Sequence, residues 1–72
     1  MKFDLVIRED LITLDKTLKA VGAVDSGAHA REVIAEGLVK VDGQVELRKT
    51  RKLYGGELVE FEDVQIQLKR HD

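Results

Sequence analysis

The sequence predicts an α+β fold, two short helices set among short β-strands, and three observations predict it. Residues alternate in polarity near both ends of the chain, over 2–8 and 58–68, as half-buried strands do. Two helical stretches lie between them, each closed by a glycine, Gly22 and Gly37. The run from Ser26 to Val45 then passes from a helical to an alternating pattern, with Asp42-Gly43 in place for a tight hairpin.

Each element has its own justification. Phe3, Leu5 and Ile7 alternate with Lys2, Asp4 and Arg8, which predicts a strand over 2–8, and Glu9 to Thr13 reads as a connection. Thr13 is placed to cap a first helix whose apolar face is Leu14, Leu18 and Val21. That helix has about two turns, too few to persist alone, so it must pack on the second helix across Ala23-Val24-Asp25. Ser26 caps the second helix and Gly37 stops it, with Ala30, Val33 and Ile34 on one narrow apolar face. Val39, Lys40 and Val41 start a hairpin that returns through Val45. Glu46 to Thr50 reads as an exposed polar loop and Leu53-Tyr54-Gly55-Gly56 as a turn. Leu58, Val59 and Phe61 form one further strand and Val64, Ile66 and Leu68 another, with the corner at Glu62-Asp63, Gln65 and Gln67 turned to solvent, and a polar tail over 69–72. The N-terminal strand is the expected extra partner of the last one.

Composition narrows the function classes. With 72 residues and 4% aromatics, the chain is expected to be one domain, residues 1–72, with an aliphatic core. It contains no cysteine, so neither a disulfide nor a thiolate metal site is available. No apolar run approaches a membrane span and the N-terminus lacks a signal-peptide pattern, which predicts a cytoplasmic protein without a membrane partner. Two histidines, His29 and His71, stand far apart in sequence, and no nucleophile, base and oxyanion donor can be assigned, so no catalytic residues are expected and the chain is not read as an enzyme. His29 and Glu32 lie one helical turn apart, but two ligands without a third describe a solvated helix face rather than a metal site. No cofactor is expected.

The net charge is −2, from 12 basic and 14 acidic residues, and the pI is 5.6, unlike the usual basic nucleic-acid binder. The charge is nevertheless segregated: Arg48, Lys49, Arg51 and Lys52 are crowded into five residues, and an acidic segment, Glu57, Glu60, Glu62 and Asp63, follows. Arg31 has Gly27, Ala28, Ile34 and Ala35 as its helical neighbours and so no acid within its own helix. Lys16 is in the same position on the first helix, whereas Lys19 follows Asp15 by one turn and is expected to be partly neutralised by it. Lys16, Lys19 and Arg31 are expected to converge beside the amino end of the second helix, where the amides behind Ser26 favour an anion such as phosphate. The basic run reads either as a solvated loop or as a mobile arm contacting phosphates. Tyr54 reads as a packing residue, with stacking on a base as the alternative.

Five pieces of sequence in order, Leu14-Asp15-Lys16-Thr17-Leu18, Ser26-Gly27-Ala28-His29-Ala30-Arg31 with Ile34, Gly37, Val39-Lys40-Val41-Asp42-Gly43, and Gly55-Gly56-Glu57-Leu58-Val59, resemble the RNA-binding domain named after ribosomal small-subunit protein S-four. The resemblance covers about 12–61, and with Arg51-Lys52-Leu53-Tyr54 ahead of the glycines the chain is most similar to the small stand-alone bacterial YbcJ-like group. It implies two helices on a small, bent antiparallel or mixed sheet, the αL motif, binding structured RNA through the helix pair and the adjoining hairpin. Together with the unpaired Lys16 and Arg31, this order of motifs predicts a non-enzymatic protein that grips the phosphate backbone of structured RNA, ribosomal RNA or tRNA, with the ribosome or an RNA-modifying protein as a further expected partner. By position the resemblance implies contacts from Lys16, Ser26, Arg31 and Lys40, with 48–52 close by. Three positions depart from the family's habit: Gly27 and Thr13 stand where it often has arginine, and Asp42 where asparagine is more usual. The alternative reading is a protein-interaction adaptor in a ribosome-associated or RNA-modifying complex, docking through the acidic hairpin 57–63 or through the apolar helix pair.

Overall fold

The computed structural model describes residues 1–71. Nine elements follow in order: β1 (Lys2–Ile7), β2 (Ile12–Thr13), α1 (Leu14–Ala20), α2 (Gly27–Ala35), β3 (Val39–Val41), β4 (Gln44–Val45), β5 (Lys52–Leu53), β6 (Leu58–Phe61) and β7 (Val64–Arg70). The larger sheet runs β1-β7-β6-β3-β4 and is mixed, because β1 and β7, from opposite ends of the chain, pair in parallel while the other neighbours are antiparallel. The α+β class, the helix pair and the partnership of first and last strands are therefore as the sequence predicts.

Registers explain which side of the sheet is covered. Val39 lies across from Phe61, and Val41 from Val59, which in turn faces Ile66. These residues are buried, together with Leu68 and, from the helices, Leu14, Leu18, Ala30, Val33 and Ile34. The helices thus lie on this one face. Lys40 belongs to the other: its row runs Val45, Lys40, Glu60, Gln65, Lys2. Burial of Leu14 and Leu18, worth about 1.5–3 kcal/mol each, holds a seven-residue helix that would not persist in isolation.

Both helices end alike. In α2 the Gly37 and Leu38 amides donate to Ile34 and Val33 carbonyls, with Gly37 at φ +78°, and in α1 Gly22 and Ala23 repeat the pattern on Lys19 and Leu18. The hairpin turns through Asp42 (φ +53°) and Gly43 (φ +84°), the left-handed pair that matches strand twist. Asp42 is also tied sideways, because its Oδ1 accepts from the Leu58 amide and its own amide donates to the Leu58 carbonyl.

Five expectations are corrected. The connection 9–13 contains β2, and the first residue of the expected turn 53–56 belongs to β5; these strands pair as a separate two-stranded ribbon, Ile12 with Leu53 and Thr13 with Lys52, in which Leu53 is completely buried. Strands of two residues carry no periodicity to detect. The 46–50 loop is not wholly exposed, since Glu46 is buried. Strand β7 continues through Arg70 because β1 offers ladder partners there, Val6 for Lys69 and Ile7 for Arg70; of the expected tail only Asp72 lies outside the described residues. Gln65 and Gln67 are half-buried rather than solvated, and Gln67 Nε2 donates to the Gly56 and Glu57 carbonyls. Among the described residues no helix is long and apolar enough to cross a membrane.

Candidate nucleic-acid interface

A helix begins with amides that have no partner inside it, and the two helices meet that need differently. In α2 the device is local. The Ser26 Oγ accepts from the His29 amide at 3.1 Å, and His29 Nδ1 accepts from the Asp25 amide at 3.3 Å. Arg31 folds back over this end, its Nη1 lying 3.6 Å from where a Cβ on Gly27 would be. The arginine expected by family habit after the serine is thus absent, while the guanidinium of Arg31 covers the same spot.

In α1 the device is remote. Thr13 occupies the cap position, but its side chain makes no capping bond; its Oγ1 donates to Asp15 Oδ1 at 2.6 Å instead. The Leu14 amide donates to the Arg51 carbonyl at 2.9 Å and the Asp15 amide to the Lys49 carbonyl at 3.1 Å, while Lys16 N–H donates to Asp15 Oδ1. The basic segment is therefore the cap of α1, which overturns its reading as a mobile arm and sets it beside Lys16. It also leaves Asp15 occupied: Asp15 forms no ion pair with Lys19, contrary to expectation, among the described residues.

What shapes that segment is Glu46. Its amide continues the hairpin by donating to the Val39 carbonyl, and its carboxylate is buried under two arginines. Arg48 donates from its backbone amide, Nε and Nη2, and Arg51 from Nη1 at 2.7 Å. The side-chain bonds from Arg48 and then Arg51 hold the Glu46 carboxyl at about 2, below its ordinary 4.5. Glu46 was missed by sequence reasoning, although a lone acid directly ahead of Arg48 and Arg51 is a visible signal.

A second fixed point follows the basic segment. Both oxygens of Glu57 accept backbone amides, Oε2 from Tyr54 and Oε1 from Gly55. Arg70 Nη1 donates to the Tyr54 carbonyl and to the Asp10 carbonyl, tying this turn to the chain between β1 and β2. The arginine stem passes so close to Gly55 that a Cβ there would stand 2.5 Å from its Cγ, so a larger residue would force Arg70 to shift. Tyr54 does not pack as expected; it is 52% exposed and lines an open hollow with Arg48, Thr50, Arg51 and Lys52.

The predicted cations are accordingly distributed over three places. Lys16 and the 48–52 segment share the amino end of α1, with Lys19 one turn further along that helix. Ser26 and Arg31 share the amino end of α2, and α1 packs on α2. Lys40 stands apart on the sheet face away from the helices, across from Glu60. Among the described residues Lys16, Lys19, Arg31, Lys40, Lys49 and Lys52 form no ion pair, whereas Arg48 and Arg51 both do. No cluster of three metal-binding side chains occurs among the described residues.

Comparison with known proteins agrees with this architecture. YbcJ of Escherichia coli (strain K12) is 46% identical over 57 residues, which span 79% of this chain and 81% of that protein. The protein named probable ribosome maturation protein RlbA of Bacillus subtilis (strain 168) is 38% identical over 56 residues, 78% of this chain and 79% of its own length. The solution structure of Escherichia coli YbcJ, described as revealing an αL motif involved in RNA-binding, superimposes with a TM-score of 0.68 at 41% identity, covering 94% of this chain and 85% of that one. Helix pair and mixed sheet are thus the αL architecture. Residues 5–69 match the profile of the S4 domain, and on these grounds the chain belongs to the S4 domain family.

Proposed function

We propose that this chain is a cytoplasmic, non-enzymatic RNA-binding protein, acting as one domain, that holds the phosphate backbone of a structured RNA, ribosomal RNA or tRNA-like, through its helix pair and the adjoining basic segment. The observation that carries the proposal is the pair of backbone hydrogen bonds from Leu14 and Asp15 to the carbonyls of Arg51 and Lys49, which join the basic segment to the helix bearing Lys16. Fixed cations without acidic partners are what a phosphate backbone recognises, by shape and charge rather than base identity. The RNA-binding αL motif of YbcJ and the ribosome-maturation name of RlbA support the same reading. Lys16, Lys19, Lys49, Lys52 and Arg31 are the proposed phosphate contacts, with Ser26 shaping the end of α2. Arg48 and Arg51 contribute from their pairing with Glu46, and Lys40 reaches RNA only if the ligand extends around the hairpin.

Titration of a tRNA or a ribosomal RNA hairpin tests this. Binding should weaken steeply as salt rises, and reversal of Lys49 and Arg31 together (Lys49→Glu, Arg31→Glu) should lower affinity at least about tenfold and flatten the salt dependence. Lys49 is chosen over Arg51 because reversal at Arg51 would also break the pair with Glu46. Unchanged affinity in the double variant would remove this surface.

The adaptor reading keeps one supporting observation, though not the ones that suggested it. The apolar helix faces are buried and Glu57 is committed to backbone amides. Leu38, Val45 and Leu47 are exposed instead, with Val45 and Leu47 side chains lying beside Gly37. A protein partner that stays bound after ribonuclease treatment would favour it.

A further inference from the structure

The hollow beyond the basic segment has features that gripping a backbone does not require. The chain has one tyrosine, two phenylalanines and no tryptophan. Phe61 is buried and Phe3 is packed against the core, yet Tyr54 is more than half exposed. Its exposure is not the looseness of a surface loop. The backbone carrying the ring is held by Glu57 on one side, through bonds of 2.9 and 2.8 Å, and by Arg70 on the other, at 3.0 Å. Three directional bonds thus fix the main chain under an aromatic side chain that the core does not use.

The other walls of the hollow are Arg48, Thr50, Arg51 and Lys52. Two of these are held as firmly as Tyr54, since Glu46 takes Nε and Nη2 of Arg48 and Nη1 of Arg51. That leaves the Nε and Nη2 edge of Arg51, the edge that grips a phosphate with two parallel bonds, outside the pairing with Glu46. An aromatic face beside fixed cations is the composition that takes a nucleotide, base on ring and phosphate on guanidinium or ammonium. A base within a duplex already has both faces covered, so the ring can serve only a base that is bulged or looped out.

We propose that Tyr54, with Arg51 and Lys52, forms a site for one unstacked nucleotide of the bound RNA, and that Glu46, Glu57 and Arg70 preorganise it. Preorganisation matters because ordering a loop on binding would consume part of what stacking provides. The proposal rests on the RNA-binding reading above and adds the feature of the RNA that the protein selects.

Two synthetic hairpins test it, identical except that one carries a single bulged adenosine. The full chain should bind the bulged hairpin about tenfold more tightly than the paired one, the scale of one base stacked on an aromatic ring. Because Tyr54 is the sole tyrosine in a chain without tryptophan, its emission reports on the site alone. The bulged hairpin should quench that emission, corrected for RNA absorbance with free N-acetyl-tyrosinamide, and the paired hairpin should leave it unchanged. Tyr54→Ala should erase the preference while keeping the wild-type affinity and salt dependence for the paired hairpin, and Tyr54→Phe should retain the preference. Equal binding of both hairpins by the wild type, or a preference that survives in Tyr54→Ala, would overturn the nucleotide site and leave backbone binding standing. Failure of both hairpins to bind at low salt would overturn the two together.

Discussion

The amino ends of the two helices pose one problem and receive opposite solutions. At α2 the His29 amide finds its partner in Ser26, at the adjoining cap position, with no contribution from a distant segment. At α1 the partners are carbonyls of Lys49 and Arg51, delivered by a segment that a buried carboxylate has folded. The difference has a functional side. A local cap leaves the helix end independent of the remainder of the fold, whereas a remote cap makes the helix and the basic segment one body. Lys16, Lys49 and Lys52 therefore keep a fixed relation to one another, which a mobile arm would lack and which a rigid ligand such as folded RNA rewards.

The largest break in this comparison is expected at Glu46. Glu46→Gln removes a charge that accepts four hydrogen bonds from two arginines, and we expect a loss of about 2 kcal/mol in urea unfolding. Faster amide exchange at Leu14 and Asp15, with none at His29, would show that the loss travels through the remote cap. Acid sharpens the same test. The carboxyl titrates at about 2 in the folded chain and near 4.5 when unfolded. Between those values the unfolded chain binds a proton that the folded chain does not, so this contribution is complete above about pH 4.5 and is lost as pH falls towards 2. The glutamine variant should lack that part of the acid sensitivity. An unchanged pH profile would mean that the pair contributes nothing to stability.

The contrast also explains how much of the molecule was legible in its sequence. The helix α2, its two ends and the Asp42-Gly43 hairpin were read correctly because every determinant lies within a few residues of the feature it controls. Strands β2 and β5 were not, since two residues cannot display a period and their pairing depends on Leu53 meeting Ile12. Glu46 looked like the start of a polar loop because its burial is compensated by arginines that, counted along the chain, look like surface charge. The candidate site was legible in part for the same reason. Residue type identified the cations, but only the fold separates Arg48 and Arg51, which are paired, from Lys49 and Lys52, which among the described residues are not, and only the registers turn Lys40 to the far face of the sheet.

A smaller effect is expected at Ser26. Ser26→Ala removes the hydroxyl that accepts the His29 amide and should cost about 1 kcal/mol. Because that cap is local, the loss of amide protection should stay within the first turn of α2, and exchange at Leu14 and Asp15 should be untouched. Spread of the effect into α1 would erase the distinction between the two ends.

The smallest effect belongs to Thr13, the residue that sequence alone names as the cap of α1. A threonine that truly caps a helix costs up to about 2 kcal/mol when replaced by alanine. Here the amides are already satisfied by Arg51, Lys49 and Asp15, and the hydroxyl contributes a single bond to Asp15. Asp15 keeps its bond from the Lys16 amide in the variant, so no buried group is stranded. Thr13→Ala should therefore cost about 0.5 kcal/mol, less than Ser26→Ala, although the two residues occupy equivalent positions. In the Glu46→Gln background, where the remote cap is weakened, the same substitution should cost more than it does alone, because the helix end then has fewer partners left. Equal costs for Thr13→Ala and Ser26→Ala, or strict additivity with Glu46→Gln, would show that α1 is capped by its own threonine and that the basic segment is not part of the helix it touches.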